Sequence, residues 1–208
     1  MAQFKSTTFG KIKGQYGEAL ATTLKTTKKN YLRVASVPSD PKTPKQQEVR
    51  GRFGFINHAM RSFDAVFKIT FGGSQGMHHG VALAYKNAII GQLPDYSLDY
   101  TKLEFTDGAL YQTNQVSAAK TMGTSVKFDW NYSKMAGNNP LDMANIICYN
   151  KDKDQSVLDL AVSTRESATF TVELPEIWVG GTIHCWMYFS SPDDMTNSIS
   201  QYVNMVQL

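Results

Sequence analysis

Short runs in which apolar and polar residues strictly alternate do most to narrow the folds open to this chain. Val126, Phe128 and Trp130 fall on one side of such a run, with Lys127 and Asp129 on the other. Phe170, Val172 and Leu174 alternate with Thr171 and Glu173 until Pro175 stops the run. After Gly180 and Gly181 the pattern returns as Ile183, Cys185, Met187 and Phe189, and it ends at Ser190, Ser191, Pro192, Asp193 and Asp194. Ile146 to Tyr149 is a compact apolar run closed by an Asn150-Lys151-Asp152 turn, and a last strand is expected over Ser198 to Val206. With Glu104-Phe105 and Ala109 to Tyr111 as short earlier strands, the count is about seven. That number at these intervals predicts a two-sheet antiparallel sandwich, immunoglobulin-like or fibronectin-like, over residues 94–208.

The opening of the chain has a different chemistry. Residues 1–70 hold thirteen Lys or Arg against four acids, whereas the remainder holds eight against fourteen. Gly10, Gly14 and Gly17 come in quick succession, followed by Leu20, Leu24, Tyr31, Leu32, Val34 and Val37 among Thr and Lys, which reads as an extended basic arm or hairpin over 1–43. A phosphate loop is excluded because no Gly-Lys-Ser/Thr follows; Glu18 stands after Gly17. Pro38, Pro41 and Pro44 enforce an extended connection. Thr43 then suits an N-cap, Pro44 the first helical position, and Gln46 the third residue of a capping box. Val49, Phe53, Ile56, Met60, Phe63 and Phe67 follow at helical spacing, a stripe that serves either as core or as a subunit seam. Val81, Tyr85 and Ile89 predict a second, shorter helix, so residues 44–93 form a helical segment and the fold class is α+β, mainly β.

Nothing in the sequence assembles a reaction centre. Cys148 and Cys185 sit in apolar strand-like runs and are expected as buried free thiols rather than a bridge. His78 and His79 are adjacent and so point apart on a helix, without further ligands nearby, so no metal or cofactor is expected. Asp152, Asp154, Asp193 and Asp194 lie in turns, where acids serve local hydrogen bonding. No serine occupies a nucleophile-elbow frame, and no catalytic residue is assigned. No stretch approaches the roughly 20 apolar residues of a membrane span, and the N-terminal residues lack the apolar run of a secretory signal.

Two segments, VPSDPKTPKQQEVRGRF and SSPDDMTNSISQYV, carry a likeness to known sequences. Together with the opening Gly10-Lys11-Ile12-Lys13-Gly14, and with Pro38, Asp40, Pro41, Thr43, Gln46 or Gln47 and Arg50, the chain resembles a family of uncharacterised proteins from gut Bacteroidales and their crAss-like phages. Asn197, Ser198 and Tyr202 echo that family's ending, although Ser200 and Gln201 intervene before Tyr202, and Phe63 or Phe67 stands where related helices often carry Trp. The likeness spans nearly the whole chain. It implies a virion structural protein, assembled in the host bacterial cytoplasm and partnered by copies of itself and other virion proteins. No catalytic residue comes with it.

The leading expectation is therefore a non-enzymatic tail or neck ring component. Lys11, Lys13, Lys28, Lys29 and Arg33 would dock its arm, with Thr43, Pro44, Gln47, Arg50 and Phe53 fixing the arm-to-helix junction and seam. The basic end of one subunit would meet the acidic body of the next. A second reading is nonspecific nucleic-acid binding, with Lys25 added to the same cations and Tyr16 or Tyr31 stacking on bases. A third is a glycan-binding adhesive module presenting Trp178 or Trp186.

Overall fold

The computed structural model describes residues 2–4, 13–23, 25–26, 29–35, 39–134, 137–193 and 196–208. They belong to two units, Met1–Thr43 and Pro44–Leu208.

In the first unit, strands β1 (Ala2–Phe4), β2 (Gly14–Tyr16), β3 (Ala19–Thr23) and β4 (Asn30–Val34) form an antiparallel sheet in the order β1-β4-β3-β2. The basic opening is thus a sheet built on hairpins rather than a free arm. Gly17 and Glu18 make the two-residue turn between β2 and β3, and Gly17 takes the positive φ (+59°) that the first position of such a hairpin turn demands. Among the described side chains of this unit only Ala21 and Asn30 are buried, and Asn30 accepts a 2.7 Å hydrogen bond from the Thr23 hydroxyl.

The second unit begins with α1 (Pro44–Ala59), where Pro44 occupies the first helical position. The continuous helix expected from the apolar stripe is interrupted after Met60 by a 3-10 turn, Arg61–Phe63, before α2 (Asp64–Thr70) resumes. The turn lets Phe63 reach the ring cluster of Phe105, Tyr149 and Trp186, while the Ser62 carbonyl accepts from the Ser156 hydroxyl at 2.5 Å. Ile56, Met60, Phe63 and Phe67 are fully buried, so this half of the stripe is core, whereas Val49 and Phe53 are each 56% exposed. α3 (Gly76–Asn87) packs its Gly80 on the Phe67 ring, where an added Cβ would stand 2.5 Å away. Ile89, expected on that helix, begins a hairpin instead: β5 (Ile89–Gln92) and β6 (Asp95–Leu98). Gly51 accommodates this hairpin through Leu93 and Tyr96, while nothing approaches Gly54.

Seven further strands follow: β7 (Val116–Lys120), β8 (Ser125–Trp130), β9 (Met143–Asn150), β10 (Gln155–Thr164), β11 (Thr169–Glu173), β12 (Thr182–Ser190) and β13 (Gln201–Gln207). They make two antiparallel sheets, β11-β8-β7 and β10-β9-β12-β13. Three-and-four sheets in this order form an immunoglobulin-like sandwich of the fibronectin type III arrangement. Two expected strands do not form: Glu104-Phe105 runs as irregular chain, Phe105 N donating to Ser200 Oγ at 2.7 Å, and Ala109 to Tyr111 is reduced to a single parallel bridge of Leu110 with Ser198, Leu110 N donating to Asn197 O at 3.1 Å. At Gly108 an added Cβ would lie 2.0 Å from Asn197 O, so only glycine allows that approach.

Val126, Phe128, Ile146, Ile183, Met187 and Phe189 meet between the sheets. The opposite face of the four-stranded sheet is also covered: Ile147, Tyr149, Trp186 and Tyr188 pack under Ile56, Phe63 and Phe67. β9 and β12 are therefore buried on both faces, and the unit has three layers: helices, four-stranded sheet, three-stranded sheet. Asn204 on β13 joins the two sheets at one seam, its amide pairing with Ala118 N (2.9 Å) and Ala118 O (2.8 Å) on β7 as a backbone partner would.

Candidate functional site

The residues expected to dock the first unit divide as follows. Lys11, Lys28 and Pro38 lie outside the described residues. Lys13 and Lys29 are exposed immediately before β2 and β4, and Arg33 is exposed on β4. Thr43, Pro44, Gln47 and Arg50 are exposed at and after the start of α1, and Phe53 follows one turn later with more than half its surface in solvent. The unit Met1–Thr43 carries eight Lys or Arg against two acids, a formal +6, whereas Pro44–Leu208 carries thirteen against sixteen, a formal −3. The change of sign lies past the structural boundary, because residues 44–70, the start of the second unit, still carry five Lys or Arg against two acids.

The residues weighed for chemistry are placed as structural groups. Cys148 and Cys185 are free thiols directly opposite one another on β9 and β12, inside the sandwich core. The neighbouring Cys185 sulfur and burial push the Cys148 thiol up, away from thiolate character. His78 and His79 are exposed on α3, the latter against the Phe71 ring. Among the described residues no three His, Cys, Asp or Glu side chains gather to hold a metal. Asp152 accepts from Thr182 N at 2.8 Å. Asp154 accepts from the Tyr149 phenol at 2.8 Å and from the Ser62 hydroxyl, and these bonds hold its carboxyl below the usual range. Burial and that carboxylate hold Tyr149 well above the usual phenol range, so the group is a fixed donor tying sheet to helices.

The indoles correct one expectation. Trp178 is 1% exposed, its Nε1 donating to Gln155 Oε1 at 3.0 Å, and Trp186 is fully buried with its Nε1 on Tyr100 O at 3.2 Å. Neither presents a face to a glycan. Each follows from its packing position, since a buried indole needs both an apolar slot and one acceptor.

Two polar groupings were not visible in the sequence. In the first, His184 is stacked on Tyr100 (centroids 4.1 Å apart), with its Nδ1 3.0 Å from the Tyr202 hydroxyl. Burial, helped by Lys151, lowers its pKa below the ordinary 6.5. The unfolded chain then binds this proton more readily than the folded one, so stability present above about pH 6.5 is lost as pH falls from there toward the lowered folded value. A stability titration by urea unfolding between pH 7.5 and 5.5 should show this slope in the wild type, at most ~1.4 kcal/mol per pH unit. His184→Gln should flatten it. An unchanged slope would assign the dependence elsewhere.

The second grouping is a buried ion pair at one end of the sandwich. Arg165 and Asp142 are 2% and 1% exposed, with Nε and Oδ2 3.1 Å apart but not aligned as a hydrogen bond. Arg165 Nη2 donates to Tyr111 O at 2.8 Å and Nη1 to Asn138 Oδ1 at 3.2 Å, and the guanidinium lies 3.8 Å over the Phe189 ring. Burial outweighs the attraction for both partners, raising the Asp142 carboxyl and lowering the Arg165 guanidinium relative to their ordinary values. Only the fold brings residues 111, 138, 142, 165 and 189 together. An isolated Arg in a turn carries no sequence signal of burial.

Fold and site together define a two-unit, mainly β protein whose described polar clusters tie its own elements together. Residues 11–204 match a family described as a family of unknown function (DUF6266), and the chain belongs to that family. No curated protein matches it. Among solved structures, the fn3 domain of human collagen alpha-1(XX) chain is similar at 9% identity, covering 49% of this chain and 87% of that one, with a TM-score of 0.34. No helix of the described residues is long and apolar enough to cross a membrane.

Proposed function

We propose that this chain is a non-enzymatic structural subunit of a tailed-phage virion, a tail or neck ring component that oligomerises by placing the basic sheet unit of one copy on the acidic body of the next. The observation that carries this reading is the difference in net charge between the units Met1–Thr43 and Pro44–Leu208, +6 against −3, coupled to a first unit whose described core is little more than Ala21. A four-stranded sheet whose described side chains bury so little apolar surface gains from being covered. Complementary charge makes the acidic unit of a second copy a suitable cover. Val49 and Phe53, exposed one turn apart on α1, supply an apolar contact at the junction. The resemblance of the Pro38-to-Arg50 and Ser190-to-Val203 segments to a phage-associated family supports the virion setting, with copies of itself and other virion proteins as partners.

The test is the mass of the full chain in solution at low and high salt, together with negative-stain images. A discrete oligomer is expected at low salt. The triple variant Lys13→Glu, Lys29→Glu, Arg33→Glu should raise its dissociation constant by tenfold or more, since like charges then face each other across the contact. The near-UV circular dichroism of the buried tryptophans should not change. A wild-type monomer under all conditions would sink the proposal. Tight binding to a random oligonucleotide with a steep salt slope would favour the nucleic-acid reading instead.

A further inference from the structure

Arg165, paired with Asp142 behind it, forms the floor of a cavity of about 290 Å³ at the end of the sandwich where β8 leaves and β10 turns into β11. Its walls are three segments drawn together by half-buried hydrogen bonds. The Thr113 hydroxyl lies within hydrogen-bonding distance of both Gln115 O (3.0 Å) and Asn131 O (2.9 Å). The Asn138 amide donates to Ser133 O at 3.1 Å. These bonds fix the backbone of the segments, from which the exposed side chains of Tyr111, Asn114 and Asn131 project.

What lines it is chemically uniform. Asn114 and Asn131 contribute carboxamides, Tyr111 and Tyr132 phenols, and Ser133 a hydroxyl, and none of these side chains makes a hydrogen bond among the described residues. All are neutral. The one cation at the floor is balanced by Asp142 and already bonded to Tyr111 O and Asn138 Oδ1, so the cavity offers no net charge for an anion. At the mouth, Tyr111 is 61% exposed with Gly137 close beside its ring, where an added Cβ would stand 2.5 Å away. A ring this exposed offers aromatic surface as a platform.

Paired carboxamides and phenols, each able to donate or accept, beside an aromatic platform and without net charge, match a ligand that carries several neighbouring hydroxyls on a ring with an apolar C–H face. We infer that this cavity binds a neutral sugar residue, its hydroxyls taken by Asn114, Asn131 and Tyr132 and its C–H face by the Tyr111 ring. The volume is at the lower end of the ~300–1,000 Å³ of small-ligand sites, which suits one ring rather than an extended chain. The ring can be a free monosaccharide or the end of a longer glycan. The inference does not depend on the assembly reading, because the cavity lies wholly within the unit Pro44–Leu208.

Saturation-transfer NMR on the full chain tests it. The probes are glucose, galactose, mannose, fucose, N-acetylglucosamine and N-acetylgalactosamine, each also as the non-reducing end of a short oligosaccharide, with glucuronic acid as the charged control. Transfer to at least one neutral ring is expected, with millimolar affinity that Asn131→Ala weakens by tenfold or more and Tyr111→Ala by a smaller factor. Both side chains are exposed, so these variants should keep the wild-type near-UV spectrum. Stronger binding of the oligosaccharide than of the free ring would identify a glycan end as the natural source, and the reverse a free sugar. Transfer to no neutral probe, preference for glucuronic acid, or binding unchanged in Asn131→Ala would overturn the inference.

Discussion

Arg165→Ala is expected to destabilise the unit Pro44–Leu208 by about 3–5 kcal/mol, the range for removing one partner of a buried ion pair. The substitution leaves the Asp142 carboxylate 1% exposed without its counter-charge, frees the Tyr111 carbonyl and Asn138 Oδ1, and removes the cation from the Phe189 ring. The pair itself is not expected to contribute that much, since burial works against the charged form of both groups. The double variant Arg165→Met, Asp142→Leu should therefore recover much of the loss, because no unpaired charge remains. Urea unfolding followed by tryptophan fluorescence measures both. Arg165→Ala within 1 kcal/mol of the wild type would mean that water reaches Asp142 and that the pair is not a buried one. A double variant as unstable as the single would place the cost in the lost hydrogen bonds instead.

Phe63→Ala is expected to cost a similar ~3–5 kcal/mol, the usual range for truncating a fully buried phenylalanine. Its ring is the hub of the helix-to-sheet contact, with ring centroids 4.6 Å from Tyr149, 5.0 Å from Phe105 and 6.1 Å from Trp186. The loss should fall on the helical layer first. The core between the two sheets does not contain Phe63, and Val126, Phe128, Ile183 and Phe189 keep their contacts there. Hydrogen exchange should therefore show amides of α1 and α2 opening at lower free energy than those of β8 and β11 in the variant. Uniform loss of protection across all four elements would show instead that helices and sandwich open as one cooperative body.

Alternation in the sequence determined β8 and β11, each with one face in the core between the sheets, and Ile183, Cys185, Met187 and Phe189 marked β12 although its other face, with Trp186 and Tyr188, is buried as well. The helix start at Pro44 was equally legible, since the chemistry of a helix's first turn is local. So was the charge division, which needs no fold to be counted. β7 and β10 were not legible. β7 is Val-Ser-Ala-Ala-Lys, with Ala118 as its one buried residue, and β10 is an edge strand whose pairing shifts between Asp159 and Ser163, which breaks a period of two. The seam between the sheets rests on Asn204, a residue whose sequence context says nothing of a backbone partner in β7.

Tertiary structure also decided what the apolar stripe of the first helix is for. The residues from Ile56 onward enter the core because β9 and β12 present a second apolar face to them, whereas Val49 and Phe53 keep more than half of their surface in solvent. Period and composition are properties of neighbours along the chain, so the sequence by itself determined the strands with one clear face, the helix start and the charge. Which faces meet, whether Trp178 is buried, and how Tyr111, Asn131 and Arg165 come to line one cavity depend on contacts between residues tens of positions apart, and only the folded chain brings those together.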